Sequence, residues 1–219
     1  MKPVIDNSTV CKRCGTCCKK GGPSFHIEDL SLIEEGNIPA KNLYTIRRGE
    51  PVYDNRIDKI IFAHSDIIKI KGQGNRWACF FYKEAENKCD IYQYRPLECR
   101  LLNCRDTREI EQIIAKGLLV RENIIGKIEG LWDMVREHDQ RCSYKEITEL
   151  IDRSGKQKSE YLWQNYSELI EYDNAIREIV VTKGGLESEL LDFLFGRPVS
   201  LVISVMNEQF KYYSPLTLY

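Results

Sequence analysis

The sequence lacks an excess of charge of one sign, because 32 Lys and Arg residues face 33 Asp and Glu residues, for a formal net charge of -1. Binding to phosphate backbones requires an excess of Lys and Arg, so we expect no nucleic-acid partner. Long apolar runs are also missing: the longest, around Pro198–Met206, is far shorter than the roughly 20 residues of a membrane span. Met1–Val10 has no apolar segment typical of a secretory signal. We therefore expect no membrane partner.

The usual catalytic and nucleotide-binding fingerprints are missing as well. The sequence contains no Gly-x-x-x-x-Gly-Lys phosphate loop, no Gly-x-Gly-x-x-Gly fingerprint and no Ser-His-Asp set. No catalytic residue can therefore be assigned. The chain has 219 residues, 42% of them hydrophobic and 30% charged, which is the composition of an ordinary globular protein. Its size alone does not require a metal.

Against these absences, the chain contains nine cysteines. Four of them lie within eight residues, in the run Cys11-Lys-Arg-Cys14-Gly-Thr-Cys17-Cys18. The Cys-x-x-Cys spacing bends the chain so that two thiolates converge on one ion, as in zinc ribbons and ferredoxin-type clusters. A second group lies about sixty residues downstream and consists of Cys79, Cys89, Cys99 and Cys104. These eight cysteines are candidate metal ligands, and we interpret the chain as a metalloprotein.

The remaining ligand-type residues are weaker candidates. Cys142 stands alone between two predicted helices, and a lone cysteine is usually a small buried hydrophobe. For His26 a hydrogen-bonded surface position is expected rather than a ligand role. Nine thiols without a secretory signal favour a reducing compartment, so we expect a cytoplasmic protein. The odd thiol count and the adjacent Cys17-Cys18 pair also argue against disulfides.

The cysteine loops have neighbours that suit thiolates. Gly15 gives the first loop the freedom to aim backbone N–H groups at sulfur. Pro96 at a first helical position would place Cys99 near a helix N-terminus, where a thiolate is favoured. Cys104 follows five residues later, on another face of any continuing helix, so either the helix stops early or the two thiols serve different metals. The first loop also carries positive charge that would offset several thiolates, on Lys12, Arg13, Lys19 and Lys20.

Hydrophobic periodicity predicts an α+β fold, with a small strand region around the cysteines and a mainly helical C-terminal half. Predicted strands are Ile60–Ala63, Ile67–Ile70, Trp77–Tyr82 after a turn at Gly72–Asn75, and an edge strand at Phe210–Tyr213. Predicted helices are Ser24–Gly36, Asp106–Lys116, Arg121–Glu137, Ser143–Asp152, Ser159–Thr182, Ser188–Phe195 and a short one from Pro198. We therefore expect a cysteine-cluster region, residues 1–106, on which a helical region, residues 107–219, packs as one compact unit.

Two segments resemble the CxxCxxCC family of zinc- or iron-chelating cysteine-cluster proteins, also called the YkgJ family. They are the Cys11–Cys18 run, and Cys79 followed by Cys89-Asp-Ile-Tyr92-Gln-Tyr-Arg95-Pro96-Leu-Glu-Cys99-Arg100. The resemblance covers roughly residues 8–106, and Cys104 fits it least well. It implies metal binding. We transfer no catalytic residue from the family to this chain. Family members are commonly labelled iron–sulfur oxidoreductases, and the domain occurs in flagellin lysine methylases associated with a [4Fe-4S] cluster and S-adenosylmethionine.

Three functions are compatible with these thiols. The first is an iron–sulfur enzyme for redox or S-adenosylmethionine-dependent chemistry such as methyl transfer, with a substrate pocket in the helical half. The second is a binding module held together by zinc, since four-cysteine zinc sites leave no open position for chemistry. The third is a metal carrier or chelator. Cys-x-x-Cys-x-x-Cys resembles the ferredoxin run more than zinc-ribbon knuckles, which favours iron–sulfur over zinc. The substrate or protein partner is not determined.

The eight clustered cysteines also predict the number of metal centres. Zinc ions and cubane clusters usually take four protein thiolates, so eight thiols divide into two sets. Cys17 and Cys18 leave neighbouring backbone positions, and we expect their side chains to diverge and to serve different centres. The alternative is one four-thiolate centre with spare thiols, Cys104 first among them.

Overall fold

The computed structural model of the chain describes residues 11, 13–54, 57–74, 76–154 and 160–212. The chain forms two compact units, and each is assembled from separate stretches of sequence. The first, unit 1, contains the described residues before Ala40 together with Lys69–Leu119. The second, unit 2, contains Ala40–Ile68 and the described residues after Leu119. The division into residues 1–106 and 107–219 as functional regions stays a prediction.

Small antiparallel strand pairs form the β part of the protein. The strands are β1 (Leu43–Ile46), β2 (Pro51–Asp54), β3 (Lys59–Phe62), β4 (Ile67–Ile70), β5 (Gly72–Gln73), β6 (Arg76–Cys79), β7 (Tyr82–Lys83) and β8 (Lys88–Cys89). Within the described residues they pair two by two, β1 with β4, β2 with β3, β5 with β6 and β7 with β8. In the last pair Tyr82 lies opposite Cys89.

Helices dominate the C-terminal half. They are α1 (Thr16–Lys19), α2 (Leu30–Glu34), α3 (Leu97–Leu101), α4 (Arg108–Ile113), α5 (Arg121–Ile125), α6 (Leu131–Arg141), α7 (Tyr144–Ser154), α8 (Glu160–Thr182), α9 (Leu191–Phe195) and α10 (Val199–Tyr212). Single 3-10 turns lie at Ile27–Asp29, Ala40–Asn42, Glu84–Glu86, Tyr92–Tyr94 and Ser188–Leu190. The fold class is α+β, as the sequence predicted. No helix in the described part of the chain is long and apolar enough to cross a membrane.

Several predicted elements differ in their bounds. The helix predicted over Arg121–Glu137 is broken into α5 and α6, because Gly130 takes a left-handed φ of 75° immediately before α6. The hairpin around the Gly72–Asn75 turn pairs β5 with β6, rather than β4 with the returning strand. The edge strand predicted at Phe210–Tyr213 is wrong, since α10 continues to Tyr212. Tyr213 lies outside the described residues, as do Lys12 and the segment Met1–Val10 of the secretory-signal prediction.

Unit 1 is small and is closed by contacts between distant stretches of sequence. Phe25 and Leu119 are fully buried, and the Leu119 N–H donates to the Phe25 carbonyl at 2.9 Å. Asp29 is also fully buried and accepts the backbone N–H of Leu97, the first residue of α3, at 2.8 Å. This bond ties the start of the helix that carries Cys99 to the segment that follows the first cysteines.

Unit 2 buries an apolar cluster together with paired charges. The apolar cluster comprises Cys142, Tyr144, Ile147, Tyr166, Val199, Val202, Ile203 and Met206. Beside it, His138 Nε2 lies 2.7 Å from Asp173 Oδ1, and Arg177 Nε donates to the same oxygen at 2.9 Å. Burial alone would raise the pKa of Asp173, but the hydrogen bond from His138 and the charge of Arg177 lower it. Asp173 is therefore a buried, paired carboxylate.

Candidate metal centre

The turn that carries the first cysteines depends on Gly15. This residue precedes α1 with a left-handed φ of 76°, which disfavours any side chain. A Cβ at this position would also overlap the hydroxyl of Tyr82, which is only 3% exposed. That hydroxyl is fixed because it donates to Asn87 Oδ1 at 2.8 Å. The predicted requirement for glycine at this turn therefore has two causes, its backbone angle and its contact with Tyr82.

The thiols of the first loop receive polar contacts that favour a thiolate. The backbone N–H of Arg13 donates to Cys11 Sγ at 3.4 Å. Cys14 Sγ lies 3.3 Å from Thr16 Oγ1, and this hydrogen bond lowers the pKa of the Cys14 thiol. Thiolate is the form that binds metal ions, so the loop is suited to ligation.

Cys17 and Cys18 face each other rather than diverge. Both lie on the single turn of α1, and their Sγ atoms are 4.0 Å apart. The hydrogen bond between the two thiols lowers the pKa of Cys17 to about 6 and raises that of Cys18. The expected divergence of the two side chains is therefore not seen at their sulfurs, although adjacent positions on a helix do not face each other. The number of metal centres stays a prediction.

Two hairpins position the next cysteines. Cys79 is the last residue of β6 and is 7% exposed, and Cys89 is the last residue of β8. Between them, the Gln73 side-chain amide donates to the carbonyls of Cys79, at 3.0 Å, and Tyr82. A single amide therefore closes the turn that leads from Cys79 into β7.

Five thiols share one neighbourhood in unit 1. Burial, together with negative charge on Cys89 and Cys17, raises the pKa of Cys79 to about 11. Burial also raises the pKa of Cys99, followed by charge on Cys79, Cys17 and Cys89. Negative charge on Cys79 and Cys99 likewise raises the pKa of Cys18. Mutual repulsion of this kind is relieved when a cation binds among the thiolates.

Two cations accompany these thiols. The hydrogen bond with Cys18 lowers the pKa of Cys17, and the positive charge of Arg95 adds a smaller lowering. Burial raises the pKa of Cys89, and Arg95 offsets part of that rise. Lys69 lies near Cys79 and Cys99, whose charges oppose the lowering of its own pKa by burial. Sequence reasoning missed Lys69, because only the folded chain brings β4 to α3. Arg95 was visible in the Tyr-x-x-Arg-Pro segment, although no role could be assigned to it.

The other predicted ligands lie apart from this neighbourhood. Cys14 is exposed but close enough to Cys17 for their charges to interact. Cys104 is exposed and follows the end of α3 at Leu101, so the helix does stop early. Within the described residues, Cys11 makes no contact with a cysteine of the second group. Cys104 likewise makes no contact there with a cysteine of the first group. Within the described residues, no three His, Cys, Asp or Glu side chains converge closely enough to hold a metal ion as they stand.

His26 is buried, so the expected surface position is wrong, whereas the expected hydrogen bond is present. The ring is 1% exposed, and its Nδ1 lies 2.9 Å from the Lys116 carbonyl. Its Nε2 lies 3.5 Å from Glu98 Oε1. The backbone N–H of His26 also donates to Asp29 Oδ2 at 3.1 Å. Cys142, in unit 2, is fully buried as predicted.

Comparison with known proteins agrees with this geometry. Residues 10–117 match the family model CxxCxxCC, described as "Putative zinc- or iron-chelating domain". The matched range includes all eight clustered cysteines and excludes Cys142. No curated protein and no solved structure matches the chain. Over residues 10–117 the chain is therefore similar to the cysteine-cluster family that its sequence predicted.

Proposed function

We propose that this protein binds zinc or iron through a thiolate centre in unit 1. The observation that carries the proposal is the shared neighbourhood of five thiols, in which the charge of Cys17 raises the pKa values of Cys18, Cys79, Cys89 and Cys99. A divalent cation converts this repulsion into attraction, and thiolate is a preferred ligand of both metals. The family description, zinc- or iron-chelating, supports the same assignment.

The donor set fits such a metal, provided that the site contracts around it. Two thiolates on one tetrahedral zinc ion stand about 3.8 Å apart, given Zn–S bonds of about 2.3 Å. The Cys17 and Cys18 sulfurs, 4.0 Å apart, are close to that spacing. The remaining thiols belong to separate hairpins and to α3, so metal binding would draw these elements together. In such sites part of the binding free energy becomes folding free energy.

An iron–sulfur centre is our first assignment, because the Cys-x-x-Cys-x-x-Cys run resembles that of ferredoxins. Such a centre would supply electron transfer, and redox or S-adenosylmethionine-dependent chemistry is the corresponding activity. Zinc is the second candidate, and the Cys17–Cys18 spacing favours it. In a cubane each protein thiolate binds a different iron, whereas sulfurs this close suit a single ion. The role of a zinc protein would be structural, as an interaction module.

Metal and sulfide analysis tests the proposal directly. The full chain is purified without oxygen, and its iron, zinc and acid-labile sulfide are measured together with the visible absorption spectrum. We expect a coloured protein with iron and sulfide in equal amounts. A colourless protein with zinc and no sulfide would replace the first assignment by the second. Protein that holds neither metal, even after anaerobic reconstitution, would overturn the proposal.

A further inference from the structure

Arg13 and Arg95 stack on the same aromatic ring. Their guanidinium carbons lie 4.1 Å and 3.9 Å from the ring centre of Tyr92, so the two cations are no more than about 8 Å apart. The Arg95 side chain is fixed further, because its Nε donates to the Tyr92 carbonyl at 3.0 Å. Within the described residues, neither guanidinium forms an ion pair with a carboxylate.

The stacked ring joins the two cysteine segments. Arg13 lies between Cys11 and Cys14, whereas Tyr92 and Arg95 lie between Cys89 and Cys99. Arg13 holds a left-handed φ of 55°, a conformation that costs free energy in a residue with a side chain. The contact between the Arg13 guanidinium and the Tyr92 ring offsets part of this free energy. The stack thus holds the first cysteine loop against the segment that supplies later thiols.

Both cations adjoin candidate ligands, since Arg13 directly precedes Cys14 and Arg95 lies between Cys89 and Cys99. Positive charge so placed attracts the negative charge that thiolates bring to a metal centre. A divalent ion bound by four thiolates carries a net charge of about -2. Because Arg95 is only partly exposed, water screens this attraction incompletely. Arg95 is therefore suited to offset charge that appears when the metal centre forms.

We propose that Arg13, Tyr92 and Arg95 form a clamp that aligns the two cysteine segments and retains the metal by offsetting its thiolate charge. The inference rests on the proposed metal binding and assigns Arg95 as a positioning residue that acts on the two cysteine segments through Tyr92. An exposed stack without this role is a weak contact, whose loss would leave metal affinity unchanged. Groups that contact metal ligands and orient them typically contribute 10- to 100-fold to metal affinity.

Metal affinity of the full chain, measured by competition with a chelator, tests the clamp. Arg95→Gln removes the charge, Arg95→Lys keeps it, Tyr92→Leu removes the ring and Tyr92→Phe keeps it. We expect Arg95→Gln and Tyr92→Leu to bind Zn²⁺ and Co²⁺ on the order of 10- to 100-fold more weakly. Arg95→Lys should recover most of the loss from Arg95→Gln, and Tyr92→Phe should match the unmodified protein.

Two further measurements separate an electrostatic role from a merely structural one. The thiolate-to-cobalt absorption bands should keep their positions in Arg95→Gln, because the ligands are unchanged. Added salt should narrow the affinity difference between this variant and the unmodified chain, since a partly exposed charge is screened. The matched control is Arg108→Gln, which removes the same charge from unit 1 at an exposed residue that pairs with Asp106. It should leave affinity unchanged.

The outcomes separate this inference from the proposed function. If the unmodified chain binds no metal, both fail. If it binds metal and Arg95→Gln binds equally well, or Arg95→Lys is as weak as Arg95→Gln, only the clamp fails. If Arg95→Gln does not fold, the ring pair decides: weak binding by Tyr92→Leu together with normal binding by Tyr92→Phe supports the clamp, and equal binding by both overturns it.

Discussion

The hydroxyl of Tyr82 occupies the position that a side chain on Gly15 would take. Gly15 lies in the loop of the first four cysteines, and Tyr82 lies directly opposite Cys89 in the β7–β8 ladder. The contact therefore joins the two cysteine segments through protein atoms rather than through a metal. It makes Gly15 a sensitive point at which to disturb the candidate centre without removing a thiol.

We expect Gly15→Ala to abolish tight metal binding. The added methyl group forces a left-handed alanine, at a cost of about 1 kcal/mol, and also displaces Tyr82 and with it the ladder of Cys89. Gly36→Ala is the matched control in unit 1. Gly36 also has a left-handed φ, 74°, but its Cβ would meet no atom within 4 Å. This control should lose only about 1 kcal/mol of stability and keep its metal, and equal metal content in both variants would contradict the argument.

Removal of the metal should loosen unit 1 first. The candidate ligands lie on separate short elements, and a site assembled from them gives its binding free energy to folding. Hydrogen exchange before and after complete chelation is the measurement. The segment 40–68 is informative, because it lies within the predicted region 1–106 but groups with the helices in unit 2. We expect residues 69–106 to exchange faster after chelation, and equally slow exchange there would count against metal-coupled folding.

The sequence predicted those features that depend on local pattern. The β4 strand has its predicted bounds, and α8 ends at Thr182 as expected. The cysteine family was also identified, since ordered cysteines with fixed spacing are a local signal. In contrast, the grouping of β1 with the helices depends on distant contacts, such as the bond from Thr45 Oγ1 to the Phe193 carbonyl at 2.7 Å. No periodicity within β1 encodes that partner.

In the candidate site, too, the sequence predicted the features that depend on local pattern and missed those that depend on distant contacts. Its thiols could be identified from their spacing, but the approach of the Cys17 and Cys18 sulfurs to 4.0 Å depends on side-chain conformations that the spacing does not determine. Lys69 enters the site from a strand that the sequence assigned only to the β part. Burial of His26 likewise results from its bond to Lys116, ninety residues away. These tertiary contacts have no signature in a single sequence.

Replacement of Cys142 should separate the ninth thiol from the other eight. This side chain is fully buried in the apolar cluster of unit 2, so Cys142→Ala leaves a small cavity and costs about 1 kcal/mol. We expect its metal content to equal that of the unmodified protein. Cys89→Ala should lose most of the metal, because Cys89 belongs to the five-thiol neighbourhood. Parallel metal analysis of both variants is the check, and equal losses would mean that the nine thiols are divided wrongly.

Acid should destabilise unit 2 through Asp173. Its folded pKa lies below the unfolded value of about 3.9, so its contribution to stability is present above that value and is lost as the pH falls through the folded pKa. Asp173→Asn should lower stability at neutral pH by about 3 kcal/mol, since Arg177 and His138 lose their charged partner. The same substitution should also reduce the loss of stability that occurs as the pH falls. Thermal unfolding between about pH 6 and pH 3, with chelator present throughout, measures both effects, and unchanged acid limbs would refute the assignment.

Single replacements of Cys17 and Cys18 should determine how many metal centres the protein holds. If eight thiolates form two centres with these two cysteines in different sets, each variant loses one centre and keeps the other. If both thiolates belong to one centre, as their 4.0 Å separation allows, each variant loses the same centre. We expect the second result, because two sulfurs this close fit one centre better than two. Metal and sulfide stoichiometry of Cys17→Ala and Cys18→Ala provides the measurement, with Cys142→Ala as the control for thiol loss. Retention of half the metal by each variant, with different spectra, would instead establish two centres.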